Sequence, residues 1–242
     1  MSKKKSKLNS EMFHKDRITL HSLELTAKQK KLLGIALDAE SQIIFVSGPA
    51  GSSKTYISVY SALRLLSQHQ ELDLIYVRTI IESAEKGLGA LPGDLNDKFN
   101  PYMIPLEEKL YEILPKNTTT KKDLFASGRI EAMPINFLRG VDWKNKIVIM
   151  DEAQNATFKE LTTLITRLGE NSKLFICGDM MQSDINGKSG FREMIKTFSD
   201  QGSVEKGIHT FEFFERDIKR SEILKYIIKK LTKRQDEGRG SN

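Results

Sequence analysis

The chain has 242 residues, 39% of them hydrophobic, which suits one α/β domain or two small ones and excludes disorder of the whole chain. Lys and Arg total 38 against 32 Asp and Glu, so the formal charge is +6 with four neutral His, a modest bias toward polyanions. A single cysteine, Cys177, excludes an intramolecular disulfide framework. No apolar run approaches the roughly 18 residues of a membrane span. The N-terminus, MSKKKSKLNS, lacks the apolar stretch of a secretory signal, and the expectation is a cytoplasmic protein without a membrane partner.

In chain order, residues 1–16 read as a basic flexible tail carrying Lys3, Lys4, Lys5, Lys7 and Lys15. Such a run is either a solubilising arm or a nucleic-acid contact. Residues 17–233 read as the folded domain and 234–242 as a second flexible tail. Within the domain, a helix is predicted over 26–36, with Thr26 as N-cap and Leu32, Leu33 and Ile35 on one face. A strand over 43–47 (IIFVS) precedes a helix over 56–66, and a second strand covers 72–78 (LDLIYVR). Residues 79–142 are less regular. They hold a Pro/Gly-rich stretch at 91–95, a helix around 106–114 and a Thr/Lys segment at 117–122 expected to be mobile.

Further strands are predicted over 146–150 (KIVIM), 173–177 (KLFIC) and 208–213 (IHTFEF). Between them, a helix over 158–168 places Leu161, Leu164, Ile165 and Leu168 at helical spacing, with Gly169 placed to end it. A last amphipathic helix covers 217–231. The strands lack polar alternation, as expected of a parallel sheet covered on both faces. Alternating strands and helices give one doubly wound α/β domain.

Directly after the first strand stands Gly48-Pro49-Ala50-Gly51-Ser52-Ser53-Lys54-Thr55, followed by a helix, the context a phosphate-binding loop requires. Gly48 and Gly51 let the chain turn close to phosphates, Lys54 can reach the β- and γ-phosphates, and the Thr55 hydroxyl can ligate Mg²⁺. Ser53 departs from the pattern, which has glycine there; its Cβ restricts the backbone and is expected to weaken nucleotide affinity. The bland alternative is a Gly/Ser turn that happens to precede a lysine.

The IVIM strand delivers Asp151-Glu152 to its C-terminal end. Asp151 is suited to hold Mg²⁺ and Glu152 to polarise the attacking water. A helix-capping Asp would explain the first acid but not the second beside it. The next strand ends in Cys177-Gly178-Asp179, and Gln182 follows, a residue type that beside a γ-phosphate can sense it or orient water.

These motifs, together with RTIIESAEKGLGALPGDLNDKFNPYMIPL, IEAMPINFLRG, ITRLGENSKLFICGDMMQSDI and RDIKRSEILKYIIKKL, resemble the PhoH-like family over about 29–231, in the compact form of a phage-type member. The resemblance implies a RecA-like P-loop ATPase core with a mainly parallel five- to six-stranded sheet and helices on both faces. It further implies ATP and Mg²⁺ as ligands, a helicase-like role, and assembly as a ring. Position by position, Gly48 to Thr55 match the ATP loop, Asp151 and Glu152 the magnesium and catalytic acids, and Gln182 the later glutamine. Gln29 resembles an adenine-reading glutamine, and Arg220 a γ-phosphate-sensing finger; the alternative for Arg220 is a solvent-facing member of the basic series with Arg216 and Lys219. Thr79 stands where many relatives have proline.

The leading expectation is therefore a Mg²⁺-dependent ATPase coupled to single-stranded nucleic acid, RNA favoured over DNA. Arg78, Phe137 and Arg139 are candidate strand contacts, with Phe137 read first as a core residue. Two alternatives come from other classes. One is a non-catalytic, ATP-stabilised oligomeric RNA-binding module, which Ser53 keeps open. The other is a small-molecule kinase, against which the paired acids argue. With one phosphate loop and one acid pair, the chain supplies one motor domain, so a hexameric ring with Arg220 acting on a neighbour's ATP is expected.

Overall fold

The computed structural model describes residues 18–79, 95–115, 121–138, 142–182, 185, 188–218, 223, 226, 227 and 230, giving the backbone alone for 95–102. The first helix, α1 (Ala27–Leu37), begins where the Thr26 side chain accepts from the Gln29 N–H and the Gln29 side chain accepts from the Thr26 N–H, a reciprocal cap. Strand β1 (Ile43–Ser47) is buried along its whole length and runs into the phosphate loop, which opens helix α2 (Lys54–Gln68). Strand β2 (Asp73–Arg78) follows, and helices α3 (Leu95–Ile113) and α4 (Lys121–Ala126) lead to strand β3 (Ile130–Pro134). The rest is strand β4 (Lys146–Asp151), helix α5 (Phe158–Ile165), strand β5 (Lys173–Gly178), helices α6 (Phe191–Thr197) and α7 (Gln201–Glu205), and strand β6 (Ile208–Glu212).

The six strands form one sheet in the order β3-β2-β4-β5-β1-β6, and every neighbouring pair is parallel. All the strands therefore end at one edge. The loop strand β1 and the acid strand β4 are separated by β5 alone, which brings both motifs to the middle of that edge.

Side-chain alternation then sorts the core into two layers. Ile44, Val46, Leu74, Tyr76, Ile147, Ile149, Phe175 and Cys177 pack with α1, α2 and α3 residues such as Leu32, Ile57, Leu63 and Leu110. Ile43, Phe45, Ile75, Val77, Val148, Met150, Leu174 and Ile176 pack on the opposite face with Leu161, Leu164, Phe191 and Met194. Each fully buried Leu, Ile or Phe contributes on the order of 1.5–3 kcal/mol, so the sheet is held from both sides.

The predicted strands all occur, with ends shifted by at most one residue, and the sheet has a sixth, β3, inside the segment read as irregular. β3 is an edge strand buried fully at Ile130 only, so it lacks the apolar signature of the central strands. Two helices are longer than their patterns: α2 begins at Lys54 inside the loop motif, and α3 begins at Leu95. Helix α5 is shorter, stopping at Ile165; Leu168 instead bridges to Trp143. Thr162, Thr163 and Thr166 turn their hydroxyls back onto helix carbonyls there, which weakens continuation. Gly169 does not cap the helix; a Cβ on it would lie 2.4 Å from the Trp143 carbonyl oxygen.

Asp217 belongs to a short 3-10 turn, Glu215–Asp217, so no helix starts at it, and most of 217–231 lies outside the described residues. The tails 1–16 and 234–242, the stretch 80–94 with LPGD, residues 117–120, Arg139 and Arg220 also lie outside them. Lys121 and Lys122, read with a mobile segment, open α4. Among the described residues no helix is long and apolar enough to cross a membrane.

Candidate active site

The loop between β1 and α2 is shaped by backbone conformations that few residues adopt. Gly48 has φ +150°, and a Cβ there would lie 2.7 Å from the Phe213 Cβ and 2.8 Å from the Phe213 carbonyl oxygen, so glycine is required. Gly51 follows at φ 79° and Ser53 at φ 71°. Ser53 thus occupies the left-handed region, which accounts for glycine in the common pattern; serine fits there against its preference. Ser52 is buried and donates its hydroxyl to the Pro49 carbonyl at 2.7 Å, bracing the turn from inside.

Ser53 is also the N-cap of α2 but makes no side-chain cap, so the first N–H groups of this 15-residue helix lack the partner a capping side chain supplies. Lys54 turns back over the loop, its Nζ donating to the carbonyls of Gly48 at 2.6 Å and Pro49 at 3.0 Å. An uncapped helix N-terminus, a loop without side-chain bulk and a loop-held ammonium together form a seat for an anion.

Across the seat, Asp151 ends β4 and is only 5% exposed. Its carboxylate accepts from two hydroxyls, Thr55 Oγ1 at 2.7 Å on Oδ1 and Tyr76 OH at 2.6 Å on Oδ2. Burial, together with the Asp151 charge, pushes the Tyr76 phenol well above its ordinary value, so it stays a donor at neutral pH. Behind them Cys177 is fully buried with Ser58 Oγ at 3.2 Å, and burial pushes its thiol up to about 12.

Glu152, the next residue, has φ 55°, a conformation uncommon outside glycine that turns the chain out of the strand. Gln154 Nε2 donates to its Oε2 at 2.5 Å, and Arg78 Nη2 lies 3.5 Å from its Oε1. The Gln154 Oε1 in turn accepts from the Asp179 N–H at 3.0 Å, tying the acid strand to the end of β5.

A cleft of about 600 Å³ opens over these groups. Of the residues singled out in the sequence, Gln29, Ala50, Gly51, Ser53, Lys54, Thr55, Asp151, Glu152 and Gln182 line it; Gly48, Pro49 and Ser52 form the loop behind. Gln29 is 3% exposed, and its amide oxygen is engaged in the α1 cap. Phe137 is 52% exposed, against its reading as a core residue, because the 3-10 turn after the edge strand β3 buries Ile135 instead. Thr79 is buried, with no partner for its hydroxyl among the described residues.

The groups fit a nucleotide with a magnesium ion. Among the described residues no cluster of three or more His, Cys, Asp or Glu could hold a metal alone. Mg²⁺ is commonly held by one or two carboxylates with phosphates and water completing an octahedron, which Thr55 and Asp151 can supplement. Tyr76, Gln154 and the Arg78–Glu152 pair escaped the sequence reading of the site. Gln154 stood in view in the DEAQ segment; Tyr76 is disclosed only by the pairing of β2 with β4.

Comparison with known proteins bears on the family and the fold. The family described as PhoH-like protein matches residues 23–232. A PhoH-like protein of Mycobacterium tuberculosis H37Rv is 33% identical over 219 residues, covering 90% of this chain and 60% of the relative. One from Bacillus subtilis is 35% identical over 199 residues, covering 80% and 59%. The chain thus spans about 60% of the length of these relatives. The large terminase of a thermophilic bacteriophage, solved in complex with ADP, superposes with a TM-score of 0.51 at 13% identity over 85% of this chain and 49% of that one. The fold is that of a RecA-like P-loop NTPase, with a six-stranded parallel sheet and helices on both faces.

Proposed function

The chain belongs to the PhoH-like family, and from that premise we propose that it binds ATP with Mg²⁺ at the C-terminal edge of its sheet and hydrolyses it, coupling turnover to single-stranded nucleic acid. The observation that carries this reading is the 2.7 Å hydrogen bond from Thr55 to Asp151, which joins an uncapped, lysine-bearing loop to an acid pair across one cleft. Bound there, Mg²⁺ would neutralise phosphate charge and hold the phosphate oxygens in place. Thr55 and Asp151 hold the metal side of the site. The N–H groups of the loop cradle the phosphates, and Lys54 exchanges its two loop carbonyls for phosphate oxygens.

Glu152 is the group that orients and polarises water. Arg78 and Gln154 hold its two oxygens, so its direction is set before water arrives. Gln182 stands on the cleft wall as a phosphate sensor, and Gln29 as the reader of the base.

For the nucleic acid, exposed Phe137 lies just beyond the end of β3, and Pro134 at that end is the register partner of Arg78 on β2. An aromatic face and a guanidinium near one sheet edge suit an unpaired base and its phosphate in either nucleic acid; the preference for RNA over DNA rests on the family resemblance. The described residues supply one phosphate loop and one sheet, which supports a cyclic oligomer, a hexameric ring, in which Arg220 reaches a neighbour's ATP. Cytoplasmic placement accords with ATP as substrate.

Phosphate release tests the reading. Purified protein should release phosphate from ATP only with Mg²⁺, and single-stranded RNA should raise the rate more than DNA of equal length. Absence of turnover under both conditions would contradict it.

A further inference from the structure

Both oxygens of Asp151 are occupied by hydroxyl donors, and the two donors come from different elements. Thr55 belongs to the phosphate loop. Tyr76 lies in the middle of β2, fully buried, outside the motifs that carry the nucleotide site. Its register partner on β4 is Ile149, and Arg78 is the partner of Asp151. Tyr76, Ile149 and, by alternation, Asp151 point to the face that packs on α2, so the phenol reaches the carboxylate diagonally. A side chain without a terminal hydroxyl at position 76 would leave Oδ2 with no donor on that side, and the carboxylate could then turn about its Cβ–Cγ bond.

We propose that Tyr76 is a positioning residue that fixes Asp151 to present one oxygen, Oδ1, beside Thr55, and thereby makes the site selective for Mg²⁺ over Ca²⁺. The two cations ask for different things. Mg²⁺ needs near-ideal octahedral geometry at about 2.0–2.1 Å, which a single, immobile carboxylate oxygen serves well. Ca²⁺ accepts a flexible shell of six to eight oxygens at about 2.3–2.6 Å, including bidentate carboxylates. While Tyr76 holds Oδ2, the carboxylate cannot swing both oxygens toward the metal. The hydroxyl therefore acts against the larger ion as well as for the smaller one, a form of selection by exclusion. This rests on the reading of the cleft as a Mg²⁺–nucleotide site.

The test is equilibrium binding of N-methylanthraniloyl-ATP to the full chain, titrated separately with Mg²⁺ and Ca²⁺ and measured also in EDTA. In Tyr76→Phe, the Mg²⁺ concentration for half-maximal binding should rise about tenfold, as expected for loss of a hydrogen bond to a charged group. The Ca²⁺ midpoint should fall, since the freed carboxylate can then offer both oxygens, and affinity in EDTA should stay at the wild-type value. Protection of the Cys177 thiol checks folding. If Tyr76→Phe fails that check, Tyr76→Leu, which also lacks the hydroxyl, is held to the same expectation.

Equal shifts for both cations, or no shift in either, would assign the phenol a purely structural role and overturn the proposal. A wild-type protein that binds the nucleotide equally well in EDTA, or not at all, would overturn the metal-site reading itself. That failure is visible before any variant is made.

Discussion

Ser53 concentrates the chemistry of the loop in one residue. Its φ of 71° costs a non-glycine residue on the order of 1 kcal/mol, and the α2 N-terminus gains no side-chain cap in return. Ser53→Gly should therefore stabilise the fold by up to about 1 kcal/mol in denaturant titrations, less glycine's greater unfolded-state entropy, and should tighten nucleotide binding by calorimetry. Weaker binding would mean that the serine hydroxyl itself contacts the ligand. Gln29 holds two possible duties on one amide, since its oxygen caps α1 while the reading as a base reader needs its N–H₂. Gln29→Glu keeps the capping oxygen and removes the donor. Thermal stability should stay near wild type while preference for ATP over GTP falls about tenfold, measured by competition. Loss of stability with preference intact would make Gln29 a cap alone. The residues of the loop and the acid pair were legible because they are contiguous and each type suits the task proposed for it. Tyr76 and Gln154 were not, because their partners are reached through strand pairing and a turn.

At the scale of elements, the central strands were legible as apolar runs, while the edge strand β3 and the early end of α5 were not. Both depend on what packs beside them: β3 adds to an edge already defined by β2, and the Leu168 bridge to Trp143 replaces a last helical turn. Lys173 shows how an element end can hide a titrating group. It opens β5 buried at the far end of the sheet from the cleft, and its Nζ donates to the carbonyls of Ala36 at 2.8 Å and Asp38 at 2.6 Å, at the end of α1. Burial lowers its pKa from 10.5 to about 8, against the pull of Asp38. A lysine whose folded pKa is depressed holds fewer protons folded than unfolded, so stability rises with pH between about 8 and 10.5. Chemical denaturation should show a gain of about 1 kcal/mol from pH 8 to pH 9 that Lys173→Met lacks. A Met variant with the same slope would remove Lys173 as its source. Above pH 9 Cys177 acts in the opposite direction: its pKa is raised from 9.0 to about 12, so its contribution is full below 9 and is lost as pH climbs toward 12.

For the whole molecule, the order β3-β2-β4-β5-β1-β6 sets loop and acids at one edge with a single strand between them. The doubly wound class followed from alternating strand and helix patterns, whereas strand order did not, since register partners such as Arg78 and Asp151 are 73 residues apart in the chain. If the active unit is a ring, Arg220→Ala and Lys54→Ala proteins, each inactive alone, should regain part of the turnover when mixed, because some interfaces pair an intact loop with an intact arginine. No recovery at any mixing ratio would leave Arg220 serving its own chain or none. The central claim is a division of labour inside one cleft, with Lys54 holding phosphate and Glu152 directing water. The most direct measurement compares Mg²⁺-ATP affinity and single-turnover hydrolysis in Lys54→Ala and Glu152→Gln. The first variant should lose binding and hydrolysis together, and the second should bind as the wild type does while hydrolysis falls at least about a hundredfold. Equal loss of binding in both, or undiminished hydrolysis in Glu152→Gln, would contradict the account.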